Sequence, residues 1–201
     1  MKFARPQIPV IACAATLSFV FHFAQPAGAK DVEGVTIPEA LPHSSGKSLV
    51  LNGTAVRSVW GFDVYVVALY LREKCQDVKT IMERDLENGK QIQITMLREV
   101  SAKKFLSTVL KNIDVNFTEK EKRRFAPELT AFFDCFDDKL ELAANSVVTF
   151  DYLPGHGTKI AVENRKAKLI PGDDFYHALL RLWIGQPLQA SIKDGLVGKT
   201  S

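Results

Sequence analysis

Between Leu49 and Leu71 the chain reads LVLNGTAVRSVWGFDVYVVALYL, two apolar runs joined by a short link, with one arginine, Arg57, between them. In the second run Trp60, Phe62, Val64, Val66, Ala68 and Tyr70 fall on one side of a two-residue period. Gly61, Asp63, Tyr65, Val67, Leu69 and Leu71 fall on the other. Alternation in β-branched and aromatic residues is a strand signal. Both sides are mostly apolar, with Asp63 and Tyr65 as polar exceptions, which predicts a central strand covered on one side by helices.

The same periodicities predict the rest of the chain. Val35 to Pro38 reads as an edge strand, where a proline is tolerated. Asp77 heads a short helix to Leu86, carried by Val78, Ile81 and Met82. After the Asn88-Gly89 turn, Gln91 to Leu97 alternates as a strand with Ile92, Ile94 and Met96 on one face. Ser101 caps a helix to about Val115, with an apolar stripe of Phe105, Val109 or Leu106, and Ile113. Thr118 and Glu121 form a capping box at the start of an aromatic-rich helix holding Phe125, Leu129, Phe132, Phe133 and Phe136. Pro127 either bends that helix or marks its true start. Ser146 to Leu153, Thr158 to Val162 and Lys166 to Ile170 follow as strands, separated by turns at Pro154-Gly157 and Glu163-Arg165. Pro171-Gly172 breaks the last run, and Asp173 or Asp174 caps a helix to Ile184 with a face of Phe175, Leu179, Leu182 and Trp183. Gly185 ends it, and a short helix spans Leu188 to Leu196. This order predicts an α+β fold, an antiparallel sheet with its helices gathered on one face.

Residues 1–29 read as an export signal rather than fold. Lys2 and Arg5 precede an uncharged apolar stretch from Ile8 to Ala24, and Ala27-Gly28-Ala29 is a small-x-small cleavage site. Residues 30–201 are then one exported, periplasmic domain with no membrane span once the signal is removed. The formal charge is +3, and two of those bases lie in the signal. Nothing in that balance suggests nucleic acid or an anionic membrane surface as a partner. Lys120, Lys122, Arg123 and Arg124 alternate with Glu119 and Glu121 as a solvated helix face. Cys75 and Cys135 remain outside the signal. In an exported protein they either form one disulfide, worth roughly 4 kcal/mol, or stay as two free thiols.

Common catalytic and nucleotide-binding signatures are absent, and Gly155-His156-Gly157 is a turn rather than a phosphate cradle. His43, His156 and His177 lie at unrelated spacings and read as surface or helix-face residues. Asp134, Asp137 and Asp138 lack the spacing of a calcium loop. No metal and no cofactor is implied. Asn52-Gly53-Thr54 and Asn116-Phe117-Thr118 match the glycosylation pattern.

Four stretches together carry a more specific signal. LNGTAVRSVWGFDVYVVALYL, ITMLREVSAKKFLSTVLKNI, VTFDYLPGHGT and IPGDDFYHALLRLWIGQPLQASIKDGLVG resemble, in order and spacing, the chalcone isomerase-like family, and most closely its bacterial, exported branch. The resemblance implies a large antiparallel sheet, helices layered on one face and a cleft between them. Plant enzymes of the family close an oxygen ring on a chalcone in that cleft; related plant proteins without the activity bind fatty acids there. The family's cleft arginine matches Arg57 in GTAVR, and its helix asparagine matches Asn112 in VLKNI. Two positions depart. Phe105 stands where the enzymes have a tyrosine, and Tyr65 where they have a threonine.

Ring closure needs donors to hold the developing oxyanion, and losing one costs about a hundredfold or more in rate. Phenylalanine cannot donate. The leading expectation is therefore a monomeric, non-catalytic binder, with catalytic residues unassigned. Arg57, Tyr65 and Asn112, beside Phe105, would receive a fatty-acid-like or other small carboxylate ligand. The alternatives are an intramolecular lyase or isomerase of the chalcone isomerase type, and an envelope interaction protein whose cleft is closed and unused. On the residues alone, Arg57 could also be a solvated turn residue or an internal salt-bridge partner, and Arg98 could line the cleft mouth, although pairing with Glu99 or Asp114 is the simpler account.

Overall fold

The computed structural model describes residues 28–43, 46–83, 88–137, 139–163 and 165–199. The expected signal, apart from Gly28 and Ala29, lies outside these residues, as do Leu86, Asp138 and Asn164. The chain begins with a hairpin of β1 (Ala29–Val32) and β2 (Val35–Pro38), then β3 (Ala40–Pro42), β4 (Ser48–Val59) and β5 (Phe62–Leu71). Next come α1 (Val78–Met82), β6 (Lys90–Met96), β7 (Val100–Ser101) and α2 (Ala102–Asn116). They are followed by α3 (Glu119–Arg124), α4 (Ala126–Phe133), β8 (Glu141–Leu142), β9 (Val147–Leu153) and β10 (Gly157–Val162). β11 (Lys168–Pro171), α5 (Asp173–Ile184) and α6 (Ala190–Leu196) complete the order.

Seven strands form one antiparallel sheet in the order β11-β10-β9-β6-β5-β4-β3, so β5 is interior, as its two apolar sides predict. β1–β2 and β7–β8 are separate two-stranded ribbons; β2 is the strand expected at Val35 to Pro38, while its partner β1 and the β7–β8 pair were not revealed by short-range patterning. The larger core joins Val67, Leu69, Ile92, Ile94, Phe150 and Tyr152 of the sheet to Phe105, Val109, Phe132, Leu179, Leu182 and Ile192 of the helices. The opposite face carries a smaller core of Leu49, Leu51, Val66, Ala68 and Tyr70, packed by Ile37, Val32 and Val35 of the first hairpin. The Tyr70 hydroxyl donates to the Pro38 carbonyl at 3.0 Å and fixes that hairpin in place. The helices thus gather on one face, and the hairpin covers part of the other.

Local signals explain most boundaries. Asp77 accepts from the Thr80 amide, Ser101 from the Lys104 amide, and Thr118 and Glu121 complete their reciprocal box. Such caps satisfy helix amides that have no intrahelical partner. The aromatic helix expected after Thr118 is two helices. Phe125 leaves helical geometry at φ −96 and ψ 16, and Pro127 lies in the first turn of α4, so the proline marks a start. Neither Asp173 nor Asp174 caps α5. Gly172 holds that position at φ 96, and both aspartates lie in the first turn, where they favour the helix dipole. α5 is buried almost all round, including Tyr176, His177, Ala178, Leu180 and Ile184 beyond the expected face.

Trp60 does not belong to a strand. It and Gly61 form the two-residue turn between β4 and β5, both at positive φ. His43 is buried rather than at the surface, and His177 lies on α5 as a buried helix residue. Cys75 and Cys135 are both free thiols. The Cys75 sulfur faces the Asp77 carbonyl, and Cys135 is buried against the Ala131 carbonyl.

Candidate functional site

A cavity of about 740 Å³ lies between the β4–β5 end of the sheet and helices α2 and α5. That is within the usual size range of small-molecule sites. Arg57, Tyr65, Phe105 and Asn112 all line it. Its floor is apolar and buried: Ile94, Phe105, Val109, Leu182 and Trp183. Exposed residues mark its mouth: Trp60, Phe62, Arg98, Glu99 and Lys104.

Two irregularities in β4–β5 pairing place the polar groups. Leu51 pairs with Tyr70 and Gly53 with Leu69, which leaves Asn52 unmatched in the ladder. A one-residue bulge reverses the facing of everything beyond it. Leu49 and Leu51 therefore point to the hairpin side, while Ala55 joins the helix-side core and Arg57 the cavity. Without the bulge, Arg57 would share the face of Leu51. Asn52 fixes the bulge with its side chain, donating to the Cys75 and Leu196 carbonyls and accepting from the Cys75 amide. The second irregularity leaves Val64 unmatched between Arg57↔Tyr65 and Ser58↔Asp63. It breaks the alternation read from the sequence, so that Phe62 and Tyr65, three residues apart, line the same cavity.

Arg57 and Tyr65 are direct cross-strand partners. Trp183 of α5, whose indole N–H can only donate, lines the cavity wall with Tyr65. Burial pushes the Tyr65 pKa up to about 12, although the Arg57 charge and the Trp183 donor act the other way. The group is a neutral donor across the physiological range.

Arg57 is half-buried and donates from Nη1 to Gln189 Oε1 at 3.0 Å. The same oxygen accepts from the Ser58 amide at 3.0 Å, and Gln189 Nε2 donates to the Val56 carbonyl and the Ser191 hydroxyl. Among the described residues no carboxylate pairs with Arg57. Its partner is neutral, so the guanidinium charge is oriented but not cancelled. A guanidinium has five N–H donors, and this bond engages one.

Asn112 has a structural duty as well. Its Oδ1 accepts from the Leu188 amide at 3.1 Å, and its Nδ2 group supplies the donors a carboxylate ligand would need. One turn on, Asn116 bonds both the carbonyl and the amide of Gln186. The two asparagines tie the α5–α6 link to α2, and so position Gln189. The side chains of both glycosylation-pattern asparagines, Asn52 and Asn116, are thus committed internally. Arg98 pairs with neither Glu99 nor Asp114. Its guanidinium lies 5.0 Å from the centre of the Phe62 ring, and Asp114 pairs with Lys122 at 2.7 Å. Phe105 is a wall, packed at 5.4 Å on Phe136. Among the described residues no group of His, Cys, Asp and Glu is arranged to hold a metal ion.

Gln189 and Trp183 are the functional neighbours that sequence reasoning missed. No local pattern links Gln189 to an arginine 132 positions earlier. Trp183 was visible only as part of an apolar helix face.

A search of curated protein sequences found no match. Among solved structures, a fatty-acid binding protein of Arabidopsis thaliana is similar at 18% identity. The match covers 85% of this chain and 96% of that one, with a TM-score of 0.61. At that identity the likeness establishes the fold. The family model described as chalcone isomerase-like matches residues 29–198, from the first strand to just beyond the last helix. Sheet order, one-sided helices and the match over most of its length agree: the chain belongs to the chalcone isomerase-like family.

Proposed function

We propose that this protein is a non-catalytic carrier of a fatty-acid-like carboxylate, of the family's bacterial, exported branch and working in the periplasm. One observation carries the reading: a half-buried, uncancelled arginine beside a neutral tyrosine donor, at the wall of a large apolar cavity. The carboxylate would take the remaining Arg57 donors and the Tyr65 proton, and the tail would lie over Ile94, Phe105, Val109 and Leu182. A charge-assisted bond in a partly dry site is strong enough to orient a ligand. The solved neighbour's description as a fatty-acid binding protein supports the class of ligand. An open cavity also argues against a protein that leaves its cleft closed and unused.

The isomerase alternative asks for hydroxyl donors on both walls. Tyr65 supplies one on the sheet, but Phe105 offers none on the helix. Absorbance on chalcone should therefore show no turnover above that of an Arg57→Ala control. The direct test is native mass spectrometry of protein purified from its own source, which should release a long-chain acid. Arg57→Ala should weaken fatty-acid affinity by about 10- to 100-fold, the value of one or two charge-assisted hydrogen bonds. Its melting temperature should stay near that of the parent, because Gln189 keeps the Ser58 amide as a partner. Equal affinity in the two proteins would sink the proposal.

A further inference from the structure

The turn at the cavity mouth is built against its own local preferences. Trp60 and Gly61 sit at φ 54 and φ 80 between the closing pair Val59 and Phe62. A two-residue turn with both φ values positive suits the twist of paired strands, and its first position favours Asn, Asp or Gly. A bulky residue with positive φ is a steric outlier. The indole gains no burial in exchange. Trp60 is 94% exposed and Phe62 59%, the two most exposed of the large hydrophobic side chains among the described residues. Backbone strain without a packing reason points to a use outside the fold.

The neighbours of this tip indicate the use. The Arg98 guanidinium lies over Phe62, and Lys104 is exposed on α2 at the same mouth. Glu99 and Glu141 also line the cavity and offset part of that charge. Aromatic side chains flanked by cations suit the headgroup layer of a bilayer with anionic lipids. Two projecting side chains are a small patch, far below the roughly 800 Å² per partner of a stable protein interface. We infer that the Trp60–Phe62 tip docks on an anionic lipid surface, with Arg98 and Lys104 meeting phosphates, and that the cavity mouth thereby opens against the membrane. The inference rests on the carboxylate-carrier reading, since it supplies the route by which a poorly soluble tail enters. Binding is weak and reversible, because only two side chains enter and the local charge is partly offset.

The test is co-sedimentation of protein purified from its own source with vesicles of mixed phosphatidylcholine and phosphatidylglycerol, and with phosphatidylcholine alone, without added fatty acid. The protein should sediment with the mixed vesicles and less with the neutral ones, and the difference should shrink with salt. Trp60→Asn with Phe62→Thr, made in the same chain, should lower partitioning about tenfold or more. Asn-Gly is the preferred pair for this turn, so the variant should melt no lower than the parent, and lost binding would not be lost folding. Arg98→Glu with Lys104→Glu should abolish the preference for phosphatidylglycerol. Equal sedimentation of parent and aromatic variant, or a parent that stays in the supernatant, overturns the inference. Solution titration with a fatty acid separates the two claims. Protein that takes the acid but ignores vesicles overturns only the docking. Protein that binds vesicles through Trp60 but takes no acid sustains the docking and overturns the ligand.

Discussion

Asp151 of β9 is almost buried, beside Gln91 of β6 and Lys159 of β10 in the strand register. Its pKa is pushed up to about 6, chiefly by burial, with Lys159 at 3.8 Å pulling the other way. Its Oδ1 has no hydrogen-bond partner. The folded state therefore binds this proton more tightly than the unfolded chain, whose value is 3.8. The sign follows: the contribution is fully present below about pH 4, is lost as pH rises to about 6, and is on the order of 2–3 kcal/mol. Asp151→Asn should remove that slope and stabilise the protein at about pH 7 by about 1–3 kcal/mol, measured by urea unfolding at about pH 4 and about pH 7. A less stable Asn variant at neutral pH would mean that the Lys159 attraction outweighs the burial cost. Nothing in the sequence announced this group, because VVTFDYL reads as a strand whether its aspartate faces water or not. Arg57 was legible by contrast, as a lone cation between apolar runs. Its partner was not, because an amide in the tail has no periodicity to betray it.

At the scale of elements, the site depends on how closely α6 approaches β4. A Cβ on Gly53 would lie 2.2 Å from the Gly195 carbonyl oxygen, and one on Gly195 2.5 Å from the Thr54 carbonyl oxygen. Only a glycine pair lets helix and strand backbones meet so closely, and that contact sets Gln189 beside Arg57. In an isolated helix Gly195→Ala would gain about 1 kcal/mol from propensity. Here the clash is with backbone and should win, with a net destabilisation of about 1–3 kcal/mol, the usual range for overpacking. Fatty-acid affinity should fall with it, because a displaced α6 no longer orients the guanidinium. Denaturation and ligand titration of the same variant check both effects. A variant more stable than the parent would show that α6 can move away at no cost and that the glycine contact is incidental. The bulge at Asn52 belongs to this scale too. The apolar pattern of β4 and β5 predicted their pairing, but a bulge adds one residue without altering composition. The face on which Arg57 emerges could not be read from alternation.

The whole molecule shows which signals in a sequence survive folding. Sheet strands longer than four residues and α2 were legible because their apolar faces pack on one another, so periodicity and burial coincide. The ribbons β1–β2 and β7–β8 were incompletely read, since segments that short bury too little to impose a pattern. The hairpin nonetheless covers part of the face opposite the helices, and with apolar packing on both faces of β4–β5 the cavity is held on a firm support. Such support makes binding readable as stability. A ligand that binds only the folded state adds about 2.7 kcal/mol at roughly a hundred times its Kd. For a chain of this size that corresponds to about 5–10 °C in melting temperature. A long-chain fatty acid should give this shift, and the alcohol of the same length much less, because the alcohol fills the apolar floor but offers Arg57 no charge. The difference between acid and alcohol should vanish as the ligand's carboxylate is protonated, below about pH 4. If acid and alcohol shift the melting temperature equally at neutral pH, the tail alone is recognised and the arginine serves the fold. If the acid is favoured in the parent but not in Arg57→Ala, the uncancelled charge at the cavity wall is what selects the ligand.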